Sequence, residues 1–161
     1  MVILLMGVSG SGKTTVGRRL AGELGWDFAD ADDFHPPANI AKMSGGHPLD
    51  DADRAPWLAA LRAHIDGCLA HGKNAVVTCS ALKARYRRTL LADPAQVRLV
   101  YLHGSRKLLR ARLAARTDHF MKPELLDSQL AALEPPATAL ALDIADPPEK
   151  LVAAIRHAFS L

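Results

Sequence analysis

Cysteine is scarce in this chain. Cys68 and Cys79 are the only two in 161 residues, and both stand in apolar segments, which suits buried reduced thiols and excludes a disulfide framework or a cysteine-based metal cluster. Aromatic residues make up only 5%. One short basic-aromatic cluster, Arg85-Tyr86-Arg87-Arg88, is too small and too isolated from any known recognition motif to support a nucleic-acid-binding module. No apolar run approaches the roughly 18 residues needed to cross a bilayer, and Val2 to Met6 is too short and lacks the basic flank of a signal peptide. The expectation is a soluble, cytoplasmic protein without a membrane or nucleic-acid partner. Strong charge of either sign is also missing: 20 Lys+Arg against 17 Asp+Glu leave +3.

What the chain does have is polarity along its length. Acids gather between Asp27 and Asp53, while Arg85, Arg87, Arg88, Arg106, Arg110, Arg112 and Arg116 crowd the second half, a distribution suited to a cation on one side and anionic phosphate on the other. The strongest motif lies near the start. Gly7-Val8-Ser9-Gly10-Ser11-Gly12-Lys13-Thr14 satisfies G-x-x-x-x-G-K-[ST] at every constrained position. The glycines let backbone N–H groups close around phosphate oxygens, Lys13 reaches the β- and γ-phosphates, and the Thr14 hydroxyl suits Mg²⁺. The following helix points its N-terminus at the same anion. Context supports the motif, because Val2–Met6 reads as a buried strand, and Thr15 to Leu24 reads as a helix with Val16, Leu20 and Leu24 on one face and a stop at Gly25.

Strand and helix signals alternate along the whole chain, which predicts an α/β fold with a parallel sheet covered on both faces. Five strands are expected, at Val2–Met6, Asp27–Ala29, Ala75–Cys79, Arg98–Leu102 and Leu140–Ile144. A long helix from about Asp53 to Ala70 places Trp57, Leu61, Ile65 and Leu69 on one face, with Gly72 as its stop. A shorter helix is expected over Leu82–Leu91, and Ser105 is a natural N-cap for another running to about Thr117. Asp146-Pro147-Pro148-Glu149 reads as a capping box with Pro at the first helical position, ahead of Leu151, Ile155 and Phe159. Pro36–Asp51 and Thr117–Pro123 read as irregular. The length fits one domain spanning residues 1–161.

The loop beyond the second strand, Asp30-Ala31-Asp32-Asp33-Phe34-His35, concentrates carboxylates where open parallel sheets bind ligands. Asp33, Asp50 and Asp51 suit N-caps and solvated loops, whereas Asp32 reads as a site residue. Together with the phosphate loop, the segments DADDFHPPANIAKM (Asp30 to Met43), PLDDADRAPWL (Pro48 to Leu58), CSALKARYR (Cys79 to Arg87) and HFM (His119 to Met121) occur in an order that resembles the gluconokinases. The chain departs from that pattern at Thr117-Asp118, where relatives carry a basic residue and Gly.

The resemblance implies a P-loop kinase fold of the shikimate and nucleoside monophosphate kinase group, with a five-stranded parallel sheet, a mobile lid at about residues 112–135, and a homodimer. It implies ATP and Mg²⁺ as cofactors, and transfer of the γ-phosphoryl group to the 6-hydroxyl of D-gluconate. Gly7, Val8, Ser9, Gly10, Ser11, Gly12, Lys13, Thr14 and Thr15 would bind the nucleotide. Thr14 and Asp30 would serve the metal, and Asp32, His35, Lys42, Arg54, Ser80, Lys83, Arg87 and His119 the sugar acid. Lys13, Asp32, Arg112 and Arg116 are the expected catalytic groups, the two arginines standing at i and i+4 on a helix that could swing with the lid to neutralise charge on the transferred phosphoryl. Ala145 and Asp146 are the candidates for packing on the adenine. Other readings are a different small-molecule kinase of this fold, such as a shikimate kinase, or a P-loop ATPase or switch. Against the switch, the third strand ends in Val77-Thr78-Cys79-Ser80 without the Walker-B acid.

Overall fold

The computed structural model describes residues 1–91, 93–115 and 125–161, with Leu125 described through its backbone alone. Five strands, β1 (Val2–Met6), β2 (Asp27–Asp30), β3 (Ala75–Cys79), β4 (Val97–His103) and β5 (Leu140–Asp143), form one sheet in the order β2-β3-β1-β4-β5. All four pairings are parallel. β1 and β3 are buried at every position, as their unbroken apolar sequences require for strands covered on both faces.

Alternation along β1 divides the core in two. Ile3 and Leu5 face α1 (Lys13–Leu24), α5 (Arg106–Ala114) and α7 (Pro148–Phe159), meeting Val16, Leu20, Leu109, Leu151 and Ile155. Val2, Leu4 and Met6 face α3 (Asp51–Ala70) and α4 (Ala84–Leu90), meeting Trp57, Leu61, Ile65 and Leu90. The helical periodicities read from sequence therefore fall inward, although Leu24, Leu69 and Phe159 are only half-buried at the ends of their stripes.

Several boundaries differ from the sequence expectation. Pro37–Ser44, expected to be irregular, forms helix α2, with Pro in the first turn and Asn39 and Met43 buried. Asn39 Nδ2 donates to Asp53 O at 2.8 Å, so a contact with α3 stabilises a helix whose own propensity is modest. α3 starts at Asp51 because Asp50 and Asp53 make a reciprocal capping box. The box expected at Asp146 and Glu149 is absent: Pro147 is the N-cap without a side-chain hydrogen bond, and Asp146 is bound to Lys150 Nζ at 2.7 Å. α4 is shorter than Leu82–Leu91. Ser105 caps α5 as expected, through Leu108 N at 3.2 Å, while the stretch expected to be irregular at 117–123 lies outside the described residues. Of the segment expected as a lid, the end of α5 and α6 (Leu125–Ala132) are described.

Two glycines set close approaches that no other residue would allow. A Cβ on Gly7, at φ +154°, would stand 2.5 Å from Leu102 O and 2.6 Å from Ser11 Oγ. On Gly17, in mid-helix, it would stand 2.8 Å from Thr78 Cγ2 and 2.9 Å from Phe28 Cε2, so α1 packs against the sheet through this missing side chain. Gly17→Ala should therefore lower stability by about 1–3 kcal/mol despite the better helix propensity of Ala. Urea unfolding checks this, and a variant more stable than the parent would show that the contact yields.

Candidate active site

Because every strand is parallel, the chain leaves the sheet on one edge after Met6, Asp30, Cys79 and His103, and the candidate groups collect there. The loop after β1 turns through positive φ at Gly7, Gly10 and Gly12 before α1 begins at Lys13. Such a turn directs successive N–H groups into one concavity, in line with the helix dipole. Lys13 Nζ donates to Val8 O at 3.1 Å and so lies along the loop.

Two carboxylates follow from β2. Asp30, its last residue, accepts from Thr14 Oγ1 at 2.7 Å through Oδ2 and from Asp32 N at 3.2 Å through Oδ1. Asp32 then sits in a 3₁₀ turn, Ala31–Phe34. Trp57 on α3 pins that turn by donating from Nε1 to Ala31 O at 2.6 Å. Asp32 is half-buried and lines a cavity with Lys13, Asp30, His35, Arg54 and Ser80. His35 stacks on Trp57 at 4.4 Å and 12°. Its Nδ1 is 3.4 Å from Asn39 Nδ2, and since that amide nitrogen also donates to Asp53 O, the network assigns the imidazole proton to Nε2. Burial pulls the His35 pKa below its ordinary 6.5, opposed by the nearby Asp32 charge. At neutral pH the ring is an uncharged donor.

The same cleft continues outward past Arg54 and Leu82 to Lys83. Arg54 Nη1 donates to Tyr86 Oη at 3.2 Å, and the Tyr86 hydroxyl donates to Asp51. Asp51 also binds Arg85 and, at 3.6 Å, Lys83. Tyr86 and these cations hold the Asp51 carboxyl below the usual carboxylate range. Asp51, expected to be a solvated charge, is thus the centre of a network that orients the cations. Asp50 is an N-cap, as read from sequence, and Asp33 is exposed.

Three predicted cations stand elsewhere than expected. Lys42 is turned to the start of α3, 2.5 Å from Asp53 Oδ2, and does not line either cavity of the cleft. Arg87 is buried, with Nη1 donating to Ala81 O at 3.0 Å and Leu82 O at 2.9 Å. It secures the loop after β3, where Ala81 adopts φ 42°. Arg112 Nη2 donates to Ile144 O at 2.7 Å, beside Gly12, Thr15 and Asp146. It is therefore on the side of the phosphate loop away from Asp32, next to one of the two residues expected to pack on the adenine. Ala145 N donates to Asp143 Oδ1 at 2.9 Å. Arg116 and His119 lie outside the described residues.

Cys79 also lines the cleft, but burial pushes its thiol up to about 12, so it is no nucleophile at neutral pH. Sequence reading missed Trp57, Tyr86 and Gln129 as site residues. Gln129 carried a signal, because it lies three residues after Leu126 and next to Leu130, a polar residue beside an apolar stripe.

A phosphate loop on the central strand of a parallel sheet, a carboxylate pair at the end of a neighbouring strand and a cation-lined cleft beyond them define a P-loop kinase for a small acceptor. A family model described as an AAA domain matches residues 2–136. A gluconokinase of Gluconobacter oxydans is 51% identical over 83% of this chain and 75% of its own, and a probable gluconokinase of Xenopus tropicalis is 46% identical over 89% and 85%. The crystal structure of a gluconokinase from Sinorhizobium meliloti superposes with a TM-score of 0.87 at 44% identity, covering 99% of this chain and 91% of that one. The chain belongs to the gluconokinase family.

The buried His35 makes stability depend on pH. With its folded pKa depressed, the unfolded chain binds the proton more readily, so the contribution is complete above pH 6.5 and is lost as pH falls through the folded value. His35→Phe, which keeps the stack on Trp57, should flatten the decline in urea midpoint between about pH 7 and 5. An unchanged slope would mean that His35 titrates as freely in the folded chain as in the unfolded one.

Proposed function

We propose that this cleft transfers the γ-phosphoryl of ATP to the 6-hydroxyl of D-gluconate, giving 6-phospho-D-gluconate and ADP. The observation that carries the reading is the order of groups along one cleft: Lys13 and the Thr14–Asp30 pair, then Asp32, then Arg54 and Lys83. That order matches a donor phosphate, an acceptor hydroxyl and an acceptor carboxylate in sequence. Family membership supports the same assignment.

Residues Gly7 to Thr15 hold the triphosphate through backbone N–H groups, with Lys13 countering charge at the β- and γ-phosphates. Thr14 and Asp30 fit Mg²⁺, since their hydroxyl and carboxylate oxygens already meet at 2.7 Å and this ion is commonly held by few protein oxygens plus phosphate. Bound there, the ion would neutralise charge on the β- and γ-oxygens. Asp32 orients the 6-hydroxyl and accepts its proton as the oxygen bonds to the γ-phosphorus and the bridge to ADP breaks. Neutral His35 is a donor beside Asp32. Arg54, fixed by Tyr86, offers the gluconate carboxylate a planar fork, and Lys83 adds a point charge. Ser80 lines the acceptor side, while Arg87 and Lys42 act at one remove, by holding the β3 loop and the start of α3.

Arg112 serves the nucleotide, beside Asp146, rather than the transferred phosphoryl. Arg116 and His119 remain assigned to phosphoryl neutralisation and acceptor binding through the family resemblance alone, as do a lid at about 112–135, a single kinase domain over 1–161, a homodimer and a cytoplasmic setting.

ADP release with MgATP should depend on D-gluconate, and equal release without an acceptor would refute the kinase reading in favour of an ATPase. Asp32→Asn should bind MgATP normally and lose about 10²- to 10⁴-fold in kcat; turnover within a few-fold of the parent would exclude the base. Arg112→Ala should raise the ATP KM by roughly tenfold, the worth of one cationic contact, and leave the gluconate KM in place. A fall in kcat alone would return Arg112 to the transferred phosphoryl.

A further inference from the structure

The inner cavity that holds Asp32 and the outer one that holds Lys83 share a wall of Met43, Leu49, Arg54, Leu82 and Gln129. Three of these are apolar. A six-carbon acid stretched between Asp32 and the cations would pass this wall with the hydroxyls of its middle carbons, and hydroxyls facing apolar side chains lose their water without replacement. Arg54 is committed by charge to the carboxylate end. Gln129 is then the shared-wall group suited to a neutral hydroxyl.

Its position is fixed from both directions. Gln129 Oε1 accepts from Ser9 N in the phosphate loop at 2.7 Å, which orients the amide and leaves Nε2 as its donor end. Just past α6, Glu134 N donates to Leu82 O at 2.9 Å, and Glu134 Oε2 accepts from Ala84 N at 2.6 Å. α6 is thereby tied to the donor side through Gln129 and to the acceptor side through Glu134. A side chain held this way loses little entropy on contacting a ligand.

We infer that Gln129 reads a mid-chain hydroxyl of the acceptor, donating from Nε2 while Oε1 stays on Ser9 N, and so sets which polyhydroxy acid is phosphorylated. This rests on the kinase reading above. A site built to bond a hydroxyl discriminates against acceptors lacking it or carrying it inverted, because its polar group is then unpaired.

The test compares parent, Gln129→Leu and Gln129→Glu on D-gluconate, its epimers and its monodeoxy derivatives, with ATP and acceptor KM measured separately. Loss of all gluconate-dependent turnover in the parent would defeat the kinase reading itself, before Gln129 is tested. Given an active parent, Gln129→Leu should raise the gluconate KM about tenfold or more with an ATP KM within a few-fold. One mid-chain deoxy or epimeric acid that the parent disfavours should be treated by the variant nearly like gluconate. Gln129→Glu keeps an acceptor for Ser9 N and removes the donor, so it should lose the same discrimination even if the Leu variant folds poorly. Unchanged epimer ranking in the folded variants would overturn the proposal. Equal rises in both KM values in Gln129→Leu, with ranking retained, would reduce Gln129 to a latch on the phosphate loop and overturn it as well.

Discussion

The parallel pairing of β1 between β3 and β4 is the constraint on which the site depends. Its register sets Met6 opposite Cys79 on one side and Tyr101 on the other, so the chain turns out of all three strands at the same edge of the sheet. Five consecutive apolar residues make β1 indifferent to which face looks up or down, and burial on both faces makes any slip costly. With the strand ends aligned, the phosphate loop, the Asp30 turn and the Ser80 loop become neighbours without further specification. Gly7 completes this arrangement, because the loop must leave β1 within contact distance of Leu102 O.

Charge in the cleft is organised by a few acids that themselves stay out of it. Asp51 gathers Tyr86, Arg85 and Lys83, and Tyr86 in turn holds Arg54. Asp53 removes Lys42 to the start of α3. Taken singly, exposed ion pairs contribute little to stability. Here their effect is positional, since each fixes the direction of a long, flexible cation and so lowers the entropy lost when an anion binds. Arg87 shows the buried version of the same device: three residues of loop after β3, bent through a strained Ala81, are held by one guanidinium on two carbonyls.

Donor and acceptor sides are also tied mechanically. α6 bonds to the phosphate loop through Gln129 and, just beyond its end, to the acceptor loop through Glu134. The helix follows directly on the segment expected to move, so its placement is linked to both halves of the reaction. On the opposite side of the loop, Arg112 binds the chain after β5 through Ile144 O. The phosphate loop is therefore gripped from α5 and from α6 by residues far apart in sequence.

The amino-acid sequence by itself determined whatever is local in cause. The glycine-lysine pattern of the phosphate loop, the five strands, the Ser105 cap, the buried thiols and the candidacy of Asp30 and Asp32 all follow from spacing and short-range chemistry, and the ordered segments resembling the gluconokinases carried the reading to a substrate. Tertiary structure alone decided the allocation of the cations. Lys42, Arg87 and Arg112 have the charge and reach to meet an anion, yet each is held by a carboxylate or carbonyl, and for Lys42 and Arg112 that partner lies 11 and 32 residues away. The same holds for α2, whose helix depends on the Asn39 contact with α3, and for the missing cap at Asp146, where Lys150 takes the carboxylate one turn on. A sequence specifies which groups can pair; which of them come within 3 Å is set by the packing of whole elements, because hydrogen bonds and ion pairs decay over distances that only the folded chain fixes.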